Sequence, residues 1–144
     1  MNRVQLAINV TDLDQAIEFY SKLFDAPPAK IRNGYANFAL DEPALKLVLI
    51  QNSQGGTLNH LGVEVGSTEE VHTATRRLTG QGLETRVEDQ TACCYALQDK
   101  VWVSDPDGAP WEVYTVLADS PAMGCDDGSC TTDAVAMGEA ATCC

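Results

Sequence analysis

Five residues carry most of the chemistry available to this chain. Gln5, His60 and Glu112 each sit inside an apolar, strand-like run, and Cys93 and Cys94 are adjacent thiols. A carboxylate within Trp111-Glu112-Val113-Tyr114 is costly to bury unless it is paired or bound to a cation. Buried Gln5 and His60 need partners for the same reason. Amide, imidazole and carboxylate are each donor types that a divalent metal accepts. The separations, 55 residues from Gln5 to His60 and 52 from His60 to Glu112, are too long for a spacing motif. Each of the three alone is more often structural than a ligand. Adjacent thiolates suit a soft centre such as trivalent arsenic or cadmium. The plainer reading of Cys93 and Cys94 is two small buried residues in a strand. Alternation would send them to opposite faces, so a joint role needs a bend or loop there.

The elements that must position these residues follow from periodicity. Val4 to Val10 alternates as a strand. Thr11 is expected to cap a helix, with Asp14 in its first turn. Leu13, Ala16, Ile17, Tyr20, Leu23 and Phe24 form the helix's buried face, and Pro27 and Pro28 stop it. Strands are expected over Tyr35 to Leu40 and Leu45 to Ile50, then a polar loop from Gln51 to Thr57. The order then repeats. Leu58 to Val65 reads as a strand, and Ser67 and Glu70 have capping-box spacing. Val71, Ala74 and Leu78 mark a helix ended by Gly80 and Gly82. Further strands are expected near Leu83 to Val87, Ala92 to Leu97, Lys100 to Val103 and Trp111 to Leu117. Sliding the chain by 55 lays Gln5-Leu6-Ala7-Ile8-Asn9-Val10 over His60-Leu61-Gly62-Val63-Glu64-Val65, an internal repeat of one strand-helix-strands unit.

The totals narrow the function. The chain has 144 residues, enough for one domain with a real core. A net charge of −12 argues against a nucleic-acid partner. No run approaches the roughly 20 apolar residues of a membrane span, and the start lacks a signal-peptide layout, so a cytoplasmic protein without a membrane partner is expected. Six cysteines in such a chain are expected to be mostly thiols. The domain is expected over 1–118, with modules at about 2–51 and 57–117. Residues 119–144 read as a flexible acidic tail holding Cys125, Cys130, Cys143 and Cys144. These four either collect thiophilic ions or play no part.

The run Asp105-Pro106-Asp107-Gly108, with Glu112 four residues after the glycine, resembles the closing motif of the vicinal oxygen chelate superfamily. This group includes glyoxalases, bleomycin-resistance proteins and extradiol dioxygenases. The resemblance covers roughly residues 2 to 117. It implies an α+β fold of paired βαβββ modules forming a curved sheet around one metal site, with Gln5, His60 and Glu112 as ligands. The chain departs from the extradiol enzymes, which usually place histidine where Gln5 stands. It also departs from glyoxalase I, because Leu45-Lys46-Leu47-Val48-Leu49-Ile50 offers no fourth ligand. A three-ligand face with open positions suits Fe(II) and oxygen, though Mn, Ni or Zn fits the same donors.

Further segments are similar to the organoarsenical carbon–arsenic lyases, and equally to the actinobacterial cadmium-induced group. They are Asn33-Gly34-Tyr35-Ala36-Asn37-Phe38-Ala39, Leu45-Lys46-Leu47-Val48-Leu49, Asn59-His60-Leu61-Gly62-Val63-Glu64-Val65, Cys93-Cys94-Tyr95 and Gln98-Asp99-Lys100-Val101-Trp102-Val103. That similarity implies an Fe(II)- and O2-dependent enzyme cleaving trivalent methyl or aromatic arsenicals to arsenite, with Cys93 and Cys94 binding the arsenic. A homodimer is compatible with it. Lys100 is expected to be a surface charge; its chemical alternative is to stabilise a developing anion. The rival readings are a cadmium- or arsenic-binding stress protein without turnover, and another superfamily enzyme such as a glyoxalase. The second leaves the thiol pair unexplained.

Overall fold

The computed structural model describes residues 2–121; the calls on Cys125, Cys130, Cys143 and Cys144 lie outside them. Two units of the same order follow one another. The first is β1 (Arg3–Val10), α1 (Leu13–Phe24), β2 (Lys30–Arg32), β3 (Tyr35–Leu40) and β4 (Leu45–Gln51). The second is β5 (Leu58–Glu64), α2 (Thr68–Gly80), β6 (Arg86–Cys93), β7 (Ala96–Ser104) and β8 (Pro110–Asp119). All eight strands form one sheet in the order β2-β3-β4-β1-β5-β8-β7-β6. The modules join where β1 pairs antiparallel with β5, and each flanks that seam with a parallel pair, β1 with β4 and β5 with β8. This is the expected paired βαβββ fold.

The helices cover one face of the sheet. Leu13 on α1 packs with Phe38, Leu47 and Leu49, and Val71 and Leu78 on α2 pack with Val101. A third cluster joins Ala7, Tyr35, Val48 and Ile50 of the first module to Cys93 and Cys94 of the second. Contacts between the two ends of the sheet show that it curls. The Tyr35 and Tyr95 rings lie 5.5 Å apart, and Lys30 on edge strand β2 meets Asp119 at 2.6 Å.

Four expectations change. Asp12, not Thr11, caps α1, accepting a hydrogen bond from the Gln15 amide at 3.0 Å. Thr11 is packed against Gly55, where any Cβ would collide with it. The three-residue β2 was not foreseen, because Lys30-Ile31-Arg32 is short and charged as edge strands often are. The expected strands Leu83 to Val87, Ala92 to Leu97 and Lys100 to Val103 are instead two, β6 and β7. They meet in a two-residue turn at Cys94 and Tyr95, whose φ angles are +50° and +60°. That pairing of positive angles is the hairpin turn normally signalled by Asn-Gly. Finally, Lys100 is not a surface charge. It is wholly buried within β7.

Candidate functional site

Gln5 and His60 come together across the β1–β5 seam. In the ladder Gln5 faces Gly62 and Ala7 faces His60, so the two polar side chains are diagonal neighbours on one face, each opposite a small residue. A Cβ at Gly62 would sit 2.9 Å from Glu112 Cγ and 3.3 Å from Gln5 Nε2, so the site depends on that glycine. Glu112 lies beside Gly62 in the parallel β5–β8 pair.

The three side chains converge. Gln5 Nε2 donates to Glu112 Oε1 at 2.7 Å and lies 3.0 Å from His60 Nε2; His60 Nε2 is 3.4 Å from Glu112 Oε1. Each is at most 4% exposed. His60 Nδ1 lies 2.8 Å from Asn59 Oδ1. An amide oxygen accepts only, so Nδ1 carries a proton. Asn59 is held in turn, since its Nδ2 donates to Asn9 Oδ1 at 3.0 Å, and Asn52 Nδ2 donates to the same oxygen at 2.6 Å. Partners of this kind commonly orient a ligating histidine.

Lys100 Nζ donates to Glu112 Oε2 at 2.8 Å. Burial would raise the Glu112 pKa, but the Lys100 ammonium and His60 outweigh it and hold the carboxyl down at about 2. Lys100 thus occupies one carboxylate oxygen and leaves Oε1 toward Gln5 and His60. It also stands 5.3 Å from the Trp102 ring, and Trp102 packs edge-on against His60. Among the described residues no three His, Cys, Asp or Glu side chains cluster as a metal site. A cation at Gln5, His60 and Glu112 therefore draws on an amide as its third donor.

Cys93 and Cys94 sit at the hairpin; both are disulfide-bonded in the structure and no described cysteine is free, against the expectation of thiols. Cys93 ends β6 and Cys94 begins the turn, so strand alternation no longer separates them, and their Sγ atoms are 4.0 Å apart. With both cysteines reduced, two thiolate bonds of about 2.3 Å would span up to roughly 4.6 Å, the reach of one soft atom. The hairpin is tied to the first module by Tyr95, whose hydroxyl donates to Asn33 O at 3.1 Å, and by Lys30, whose Nζ donates to Tyr95 O at 3.2 Å. A cavity of about 280 Å³ is lined by Gln5, Glu112 and Cys94 together with Tyr35, Asn37 and Gln98. A second hollow of about 360 Å³, beside α2, contains none of these residues. Burial pushes the Tyr35 phenol up to about 12, so it borders the cavity as a neutral group.

A family model described as the Glyoxalase/Bleomycin resistance protein/Dioxygenase superfamily matches residues 2–113. The chain belongs to this superfamily. It is 59% identical to the cadmium-induced protein CadI of Mycobacterium bovis, covering 100% of this chain and 93% of that one. It is 56% identical to the trivalent organoarsenical cleaving enzyme of Thermomonospora curvata, covering 92% and 89%. Among solved structures, the Mn(II)-bound glyoxalase of Novosphingobium aromaticivorans shares the superfamily fold at a TM-score of 0.60 and 18% identity, covering 83% of this chain and 42% of that one.

Sequence reasoning missed Asn59, Gly62, Tyr35 and Gln98. Two of them left a signal. Asn59 directly precedes His60, and Gly62 falls on Ala7 when the repeats are overlaid, marking a small residue beside each polar one. Tyr35 becomes a neighbour of the two cysteines only once the sheet curls, whereas Gln98 meets Cys93 locally across the β6–β7 hairpin.

Proposed function

We propose that this superfamily member cleaves the carbon–arsenic bond of trivalent organoarsenicals, methyl or aromatic, in an Fe(II)- and O2-dependent reaction that releases arsenite in the cytoplasm. The observation that carries this reading is a cavity bordered by both the Gln5–Glu112 pair and Cys94. The organoarsenical-cleaving relative at 56% identity supports it.

Gln5, His60 and Glu112 would hold the metal. Gln5 would offer its amide oxygen, which requires the amide to turn, because Nε2, a hydrogen-bond donor with no free lone pair, is the atom that now meets His60 and Glu112. Iron, when bound, supplies the reactivity toward oxygen that side chains lack. Once reduced by a thiol reductant, Cys93 and Cys94 would condense through their two S–H groups with the two hydroxyls of an arsenous acid, releasing two waters, and so fix the organic group in the cavity. Lys100 acts as a positioning residue. It keeps Glu112 ionised and directs Oε1 to the metal position. We assign the reaction to residues 1–118.

The test is anaerobic Fe(II) loading, addition of a trivalent methylarsenical with and without oxygen, and arsenic speciation. Arsenite is expected only with oxygen. Cys93→Ser and Cys94→Ser should each lose on the order of 100-fold in turnover while keeping iron and fold, since misplacement by about 1 Å costs that much. A variant lacking the four tail cysteines should cleave normally. Normal turnover by both single variants would sink the thiol assignment. The relative named for cadmium induction favours a second reading, a binding protein without turnover. Bound but unchanged arsenical in the presence of oxygen would select it.

A further inference from the structure

Gln98 stands on β7 two residues from Lys100, so both side chains rise from the same face of the strand. It is 5% exposed and borders the cavity shared by Cys94, Gln5 and Glu112. Its Nε2 donates to the Cys93 carbonyl at 3.1 Å. A carbonyl only accepts, so that contact fixes which end of the amide is nitrogen and leaves Oε1 as an acceptor. Oε1 is buried and has no hydrogen-bond partner among the described residues, a state uncommon for a buried amide oxygen. Trp102 Nε1 is in the same state, but Trp102 does not line the cavity.

The polar groups around Gln98 are engaged elsewhere. Asn37 Nδ2 donates to the Tyr35 hydroxyl at 2.8 Å, Tyr114 donates to Glu64 at 3.1 Å, and Lys46 is held by Glu64 at 3.1 Å. Lys30 is held by Asp119. The charges that line the cavity are therefore already paired, and the acceptor left over calls for a neutral donor. The volume, about 280 Å³, is far more than a methyl group fills, one water's share of liquid being about 30 Å³.

We propose that Gln98 is a specificity-determining residue. Its Oε1 accepts a hydrogen bond from an N–H or O–H group on the organic part of an arsenical held by Cys93 and Cys94 in their reduced form. It thereby favours aryl arsenicals bearing an amino or hydroxyl substituent over phenyl and methyl ones. This rests on the function proposed above.

The experiment is calorimetric titration of reduced, metal-free protein with methyl-, phenyl- and 4-aminophenylarsenous acids. The wild-type protein should bind the amino compound about tenfold more tightly than the phenyl compound. Gln98→Met and Gln98→Leu should bring that ratio close to one. Losing the Nε2 contact with Cys93 weakens all three ligands together and cancels in the ratio. Gln98→Glu keeps an acceptor and should keep the preference. A wild-type ratio near one, or an undiminished ratio in Gln98→Met and Gln98→Leu, overturns the role of Gln98 and leaves the thiol site standing. Failure of all three arsenicals to bind the wild-type protein overturns the proposed function and this inference with it.

Discussion

The two modules repeat one backbone plan, yet only the second carries the charged part of the site. In the first, Ala7 of β1 lies beside Val48 of β4; in the second, Gly62 of β5 lies beside Glu112 of β8. Ala7 and Gly62 are equivalent under the 55-residue repeat, so Val48 is the counterpart of Glu112. Around Val48 the inner wall is Tyr35, Ile50 and Ala7, and it receives the thiol hairpin. Around Glu112 it is His60, Lys100 and Trp102. The repeat thus provides two matched places. One holds a carboxylate paired with its lysine; the other holds a valine in an apolar wall.

The strongest way to break this contrast is to remove its carboxylate. Glu112→Ala should abolish metal uptake more completely than substitution of Gln5 or His60. It should also cost about 3–5 kcal/mol of stability, because Lys100 is left buried without its partner. The pair Glu112→Leu with Lys100→Met should recover most of that stability and none of the metal binding. Denaturant melts and iron stoichiometry read both effects. The same pair sets an acid limit on the metal-free protein. The folded Glu112 carboxyl titrates at about 2, below its ordinary value of 4.5. Its contribution is therefore complete above about pH 4.5 and is lost as pH falls through about 2. In Lys100→Met the loss should begin at higher pH, visible as an earlier acid transition in circular dichroism.

Val48→Glu sharpens the contrast from the other side. It should destabilise the metal-free protein by about 3 kcal/mol, the cost of an unpaired buried carboxylate. Added divalent metal should raise its melting temperature more than it raises that of the wild type. An equal metal response in the two proteins would show that the two positions are not equivalent. The smallest effect is expected at Asn59. Asn59→Leu should weaken metal binding about 10- to 100-fold, with Asn59→Asp retaining it. The ring-nitrogen shifts of His60 in the metal-free protein would report loss of the Nδ1-protonated form in Asn59→Leu alone.

Much of the frame was legible because periodicity reports burial. β1, α1, β3, β4, β5, α2 and β8 alternate or recur at helical spacing, and the overlay of Gln5 on His60 located the seam. The thiol hairpin was not legible. Its turn uses Cys94 and Tyr95 at positive φ where composition signals would need Gly or Asn. β7 was read as two short strands because Gln98, Asp99 and Lys100 look like a polar break. All three are buried, with Asp99 accepting from Thr68 and from the Gln90 amide. Lysine is so seldom buried that only its partner, twelve residues on, reveals the reason.

The β1–β5 seam also bears on ancestry. Each module brings one polar residue to that seam, and neither can form the site alone. A chain half this length would have to meet a second copy of itself to assemble one, and every change would then appear twice. Joining the halves in one polypeptide releases them from that symmetry. A glutamine can stand where the other half has a histidine, and a valine where it has a glutamate, each inherited separately.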